Sequence, residues 1–130
     1  MKRLMIVFLG VLLLAGCGQQ IEIQEEQEAA YVNITAEEAK QLMDTEEGYV
    51  ILDVRTQEEY DELHIPGAIL IPDTEIKEKA EEVLTDKDQL ILVYCRSGRR
   101  SKLASEDLVE LGYTKIKEFG GIIDWPYETE

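Results

Sequence analysis

The 130-residue sequence is poor in the side chains that usually carry metal, disulfide or nucleic-acid chemistry: it has two cysteines, one histidine, and 13 Lys and Arg against 28 Asp and Glu. Two Cys and one His are too few for a Cys/His zinc site, and two Cys cannot form a framework of several disulfides. The net charge of −15 excludes nucleic acid as the main partner, because binding a phosphate polymer depends on Lys and Arg neutralising it. No GxGxxG fingerprint, P-loop, metal-ligand spacing or solenoid-period repeat is present, so neither a metal nor a cofactor is expected. Acidic pairs such as Glu25-Glu26 and Glu81-Glu82 read as solvated faces. Against these absences stands a hydrophobic fraction of 45%, which rules out a fully disordered chain and supplies the core of one domain.

The first residues read as an export signal rather than as part of that core. Lys2 and Arg3 precede the apolar run Leu4 to Leu14, whose eleven residues are short for a membrane span. Leu14-Ala15-Gly16-Cys17 then resembles the lipobox of bacterial lipoproteins. That resemblance implies cleavage after residue 16, lipidation of Cys17, and a chain held at the membrane outside the cytoplasm with Cys95 as its free thiol. A signal cleaved without lipidation, or kept as an anchor, is the competing reading. Residues 17–30 are polar and acidic, with Ile21 and Ile23 their only large aliphatic side chains, and read as a tether. As a flexible chain it would span roughly 20 Å; a short helix packed on the domain is the alternative.

From residue 31 onward strand and helix patterns alternate. Tyr31 to Ile34 is a β-type run, and Thr35-Ala-Glu-Glu38 fits a capping box opening a helix to about Met43. Tyr49 to Val54 is an apolar, β-branched run of the kind covered on both faces. Thr56 and Glu59 repeat the capping box, and His64-Ile-Pro-Gly67 must end the helix that follows. Ala68 to Ile71 reads as a strand, Ile76, Ala80, Val83 and Leu84 have helical spacing, and Gln89 to Tyr94 is the most buried-looking strand. Ala104, Leu108 and Leu111 mark one face of a helix ended by Gly112, and Lys115 to Phe119 forms a last strand. Such units imply an α/β domain over residues 31–130: about five mainly parallel strands, with helices on both faces of the sheet.

Ligand sites in such sheets form at the carboxyl ends of strands, and Cys95 stands at one. Its loop, Cys95-Arg96-Ser97-Gly98-Arg99-Arg100, is followed by Ser101, a good helix N-cap. With Gly98 able to take positive φ, the loop can curl its N–H groups inward as an anion nest on the helix dipole. A thiol held there is expected to act as a nucleophile without a general base. Four of the 13 Lys and Arg, namely Arg96, Arg99, Arg100 and Lys102, fall within seven residues and make a cationic mouth on an acidic body. A buried structural role for Cys95 is the plain alternative, as is ordinary surface charge for Arg99. His64 reads as the tether of a turn rather than as a base for Cys95, and Trp125 as packing for a C-terminal helix.

Taken in order, Asp53-Val-Arg55 with Glu58-Glu-Tyr60, His64-Ile-Pro-Gly-Ala68, the CRSGRRS loop, and Gly120-Gly-Ile-Ile-Asp-Trp125 resemble a single-domain rhodanese, a sulfurtransferase. The resemblance runs from Ile34 to about Trp125. It implies that Cys95 takes sulfur from an anionic donor such as thiosulfate or a persulfide, and passes it from a Cys95 persulfide to a thiol or cyanide-like acceptor. It also implies that the amides of Arg96 to Ser101, including those of Ser97, Gly98 and Arg99, cradle the persulfide. Arg96 and Arg100 would orient the donor, and Asp53 and Arg55 would form a structural pair beneath the loop. A relay protein exchanging sulfur or electrons with Cys95 would be its natural partner outside the cytoplasm. Cys-dependent phosphatase or arsenate reductase chemistry is less well matched, because phosphatases of this fold need Cys and Arg six apart, whereas Ser101 is at that spacing and Arg100 at five. A tethered binding or sensing module that captures sulfur without turnover is the alternative from another class.

Overall fold

The structure is a computed structural model that describes residues 31–130. The signal sequence, Cys17 and the tether therefore lie outside the described residues. β1 (Tyr31–Asn33) leads into α1 (Ala36–Thr45), and β2 (Val50–Asp53) into α2 (Gln57–Glu62). β3 (Ile69–Leu70) is followed by a 3-10 turn (Asp73–Glu75) and α3 (Ile76–Val83). β4 (Leu90–Cys95), α4 (Arg99–Glu110), β5 (Lys115–Gly121) and a 3-10 turn (Ile122–Asp124) complete the domain.

Both capping boxes are present. The Thr35 and Thr56 hydroxyls accept from the N–H groups of Glu38 and Glu59, whose carboxylates accept in return from the threonine backbone. The strands form one sheet in the order β1-β5-β4-β2-β3, with every neighbouring pair parallel. Alternation along β4 builds both layers of the core. Ile91, Val93 and Cys95 face α3 and α4 with Ile76, Ala80 and Leu108, while Leu92 and Tyr94 face α1 with Ala39, Phe119 and Trp125. Val83 turns outward and is half exposed, because the buried stripe of α3 follows Ile76, Ala80 and Leu84 at successive turns.

The chain steps from β2 to β3 on one side and from β4 to β5 on the other, so a crevice opens at the carboxyl ends of the adjacent strands β2 and β4. Two differences from the sequence expectations bear on it. β5 runs on to Gly121 through an irregularity: Val93 pairs with Glu118 but Cys95 pairs with Gly121, so the extra residue sits on β5, where Gly120 takes φ +87°. Trp125 follows a 3-10 turn instead of standing on a helix, and packs between Phe119 and Tyr127. Among the described residues, no helix is long and apolar enough to cross a membrane.

Candidate active site

Cys95 ends β4 almost fully buried, at 1% exposure. The chain then reverses within three residues, so that the Gly98 N–H donates to Cys95 Sγ at 3.0 Å. That reversal requires the φ of +111° at Gly98, a conformation costly for a side-chain-bearing residue. It also makes Gly98 the N-cap of α4 and places Ser101 inside the first turn. Ser101 is therefore not the cap its residue type suggested. Its hydroxyl points into the protein, where it accepts from the Cys95 thiol at 3.3 Å and lies 2.6 Å from Glu118 Oε2.

Gly121 explains how the loop seats on the sheet. A Cβ there would stand 1.9 Å from Arg96 O and 2.6 Å from Ser97 Cα, so the loop backbone occupies the space a side chain would fill. The Arg96 carbonyl also accepts from Ile123 N at 3.3 Å. Loop, bulge and 3-10 turn thus form one packed unit behind the sulfur.

The cations divide into two kinds. Arg96, Arg99 and Lys102 are exposed and make no ion pair among the described residues. Arg96 lines a cleft of about 410 Å³ with Arg55, Glu59, Ile122, Ile123 and Trp125. Arg100 is engaged instead: its two Nη atoms bind Glu59 Oε1 and Oε2 at 2.8 and 3.0 Å. That hydrogen-bonded guanidinium is the main reason the Glu59 carboxyl titrates at about 2. Arg100 also feels Cys95 directly, since a negative charge on the sulfur favours its guanidinium.

Asp53 and Arg55 form a buried ion pair, with Arg55 Nη2 2.7 Å from Asp53 Oδ2 and Arg55 Nε 2.9 Å from Oδ1. Tyr94, next to Cys95, donates its hydroxyl to Asp53 Oδ2 at 2.6 Å and accepts from Ile65 N at 3.1 Å, while Arg55 Nη2 binds Leu63 O. Burial first, then the bond to Asp53, pushes the Tyr94 phenol well above its ordinary range. The pair thus ties the end of β2 to the end of β4 and to the segment after α2.

His64 stacks on Tyr60 at 3.8 Å, and its backbone exchanges hydrogen bonds with Glu130. It staples the C-terminus, in keeping with the structural reading. A larger cleft of about 600 Å³ opens at the opposite end of the strands, against Leu42, Gly48 and Leu90, far from the thiol.

Two acidic partners escaped the sequence reading. Glu59 was legible as a capping residue and as the middle of Glu58-Glu-Tyr60, with nothing to pair it with Arg100. Glu118 is wholly buried on β5, and its one sequence signal is being in phase with the buried Ile116 two residues earlier.

Comparison with known proteins agrees with this geometry. The rhodanese-like domain family matches residues 35–126. YrkF of Bacillus subtilis is 38% identical over 110 residues, which cover 84% of this chain and 58% of that protein. The thiosulfate sulfurtransferase PspE of Escherichia coli is 44% identical over 73 residues, covering 56% of this chain and 70% of that protein. A solved rhodanese from E. coli, with anions, superposes with a TM-score of 0.60 and 39% identity over 63% of this chain and 96% of its own. The five-stranded parallel sheet, the cysteine loop at its carboxyl edge and these matches together place the chain in the rhodanese-like family, whose sulfurtransferase members are its relatives.

Proposed function

We propose that the domain carries a sulfane sulfur on Cys95. The Cys95 sulfur attacks the outer sulfur of an anionic donor; with thiosulfate, a new S–S bond forms to Cys95 as the donor's S–S bond breaks and sulfite leaves. An acceptor thiolate, or cyanide, then attacks the terminal sulfur of the persulfide. It departs with that atom and returns Cys95 with its electron pair, so no outside oxidant or reductant is consumed.

The observation that carries this reading is the Gly98 N–H aimed at Cys95 Sγ at 3.0 Å from a tight cationic loop. A donor there stabilises the thiolate that attacks and the thiolate that is restored on release. Arg96, Arg99 and Lys102 collect the anionic donor, and the loop amides cradle the persulfide. The name of PspE supports thiosulfate as a donor to try first.

Cys95→Ser tests the assignment: sulfur transfer from thiosulfate to cyanide is lost while thermal unfolding stays close to wild type. Transfer retained in that variant overturns it.

The chain is proposed to work lipid-anchored at Cys17 at the cell membrane, facing outside the cytoplasm, from the Lys2-Arg3 pair, the apolar run and Leu14-Ala-Gly-Cys17. A sulfur or electron relay protein would then keep Cys95 reduced or loaded. Incorporation of labelled fatty acid that disappears in Cys17→Ser supports the anchor, and absence of label in wild type contradicts it.

A further inference from the structure

Behind the catalytic sulfur lies a buried carboxylate that the transfer chemistry does not call for. Glu118 is wholly enclosed and receives three donors: Asn33 Nδ2 on Oε1 at 2.5 Å, and Gly120 N and the Ser101 hydroxyl on Oε2 at 2.9 and 2.6 Å. Three donors and no acceptor is the environment of an ionised, acceptor-only group. The Ser101 hydroxyl has one hydrogen and several acceptors near it: Glu118 Oε2 at 2.6 Å, Gly98 O at 3.1 Å and Gly120 O at 3.4 Å. The shortest bond, to a carboxylate, takes it. Towards Cys95 Sγ, 3.3 Å away, Ser101 then presents only a lone pair. A lone pair accepts from a thiol S–H but repels a thiolate.

We propose that Glu118, acting through Ser101, is a brake on Cys95: it keeps the sulfur proton in place, so that the unloaded site rests as a thiol. Two negative charges one hydroxyl apart in a dry layer oppose each other, and only one is held at rest. To form the thiolate, the proton must leave the sulfur for solvent water against the charge of Glu118, and the thiolate left behind is stabilised by the Gly98 N–H and by the cations at the mouth. Glu118 touches no substrate and is a positioning residue. The assignment rests on Cys95 being the sulfur carrier, yet its test reads the proton on the sulfur and not the transferred atom, so the two stand or fall separately.

Other charges face this unit. Arg100 interacts with Cys95 and is itself held by Glu59, with Asp73 near it; Asp53 is paired with Arg55 at the end of β2; Tyr31 on β1 lies near Glu118 and also near Glu106 of α4. All are unchanged in the variants below, so the difference between variants isolates Glu118 and Ser101.

The experiment is the pH dependence of iodoacetamide alkylation at Cys95 in the full chain carrying Cys17→Ser, where Cys95 is the sole thiol. Glu118→Gln moves the midpoint about one pH unit lower and speeds alkylation about tenfold below the wild-type midpoint. Ser101→Ala moves it in the same direction by less, because the thiol loses its acceptor while the carboxylate stays; it also serves if Glu118→Gln fails to fold. A midpoint that stays put would leave Glu118 only its stitching of β1 to the bulge. A midpoint that rises in either variant would mean that Glu118 draws the proton off the sulfur. Either result overturns the proposal.

Discussion

The guanidinium of Arg100 grips the carboxylate of Glu59 through two hydrogen bonds, joining the cysteine loop to the capping box of α2, 41 residues earlier in the chain. The cation that the sequence offers for donor binding is thus already shared with an acid. Glu59→Gln frees it, and the KM for thiosulfate is expected to fall about fivefold with little change for an uncharged sulfur donor. Saturation curves for the two donors check this; an equal change for both contradicts the steering role.

The same pair has a pH signature. The Glu59 carboxyl, held at about 2 by Arg100, sits below its ordinary value of 4.5, so the stabilisation is complete above that ordinary value and is lost as pH falls towards 2. The melting temperatures of wild type and Arg100→Ala should differ by a few degrees at pH 6 and converge by about pH 2. A gap that persists at the acid end would assign the difference to packing instead.

Asp53 and Arg55 are buried, so removing one leaves the other charged and unpaired. Asp53→Asn is expected to destabilise the domain by about 3–5 kcal/mol, and Tyr94→Phe by about 1–3 kcal/mol, in denaturant unfolding. Losses below 1 kcal/mol in both would show that the network does not brace the ends of β2 and β4.

The two adjacent glycines of β5 do different work. Gly120 supplies the positive φ of the bulge with open space where a Cβ would stand, whereas Gly121 makes room for the loop backbone. Gly120→Ala should cost about 1–2 kcal/mol of stability with activity near wild type. Gly121→Ala should displace the loop and reduce sulfur transfer about a hundredfold. Parallel assays of stability and turnover separate the two, and equal effects would contradict the division.

What was legible in the sequence was local. The capping boxes at Thr35 and Thr56, the apolar strands and the cysteine at the end of β4 each rest on residues within a few positions of one another. Ser101 was expected to cap the helix, but Gly98 does so instead, because its positive φ lets the chain turn at once and bring its N–H back to the sulfur. The links Arg100 to Glu59, Ser101 to Glu118 and Gly121 to Arg96 join elements distant in sequence, and no spacing announces them. Glu118 left only a faint mark, a charged residue in phase with buried Ile116 on one strand.

The central claim is that Cys95 itself becomes the sulfur carrier. Intact-mass spectrometry of the chain carrying Cys17→Ser, before and after thiosulfate, reads this directly, with Cys95→Ser added as the control. The account predicts a gain of about 32 Da, one sulfur atom held by the sole thiol, removed by cyanide and absent from the control. An unchanged mass while Cys95 remains open to alkylation would contradict it.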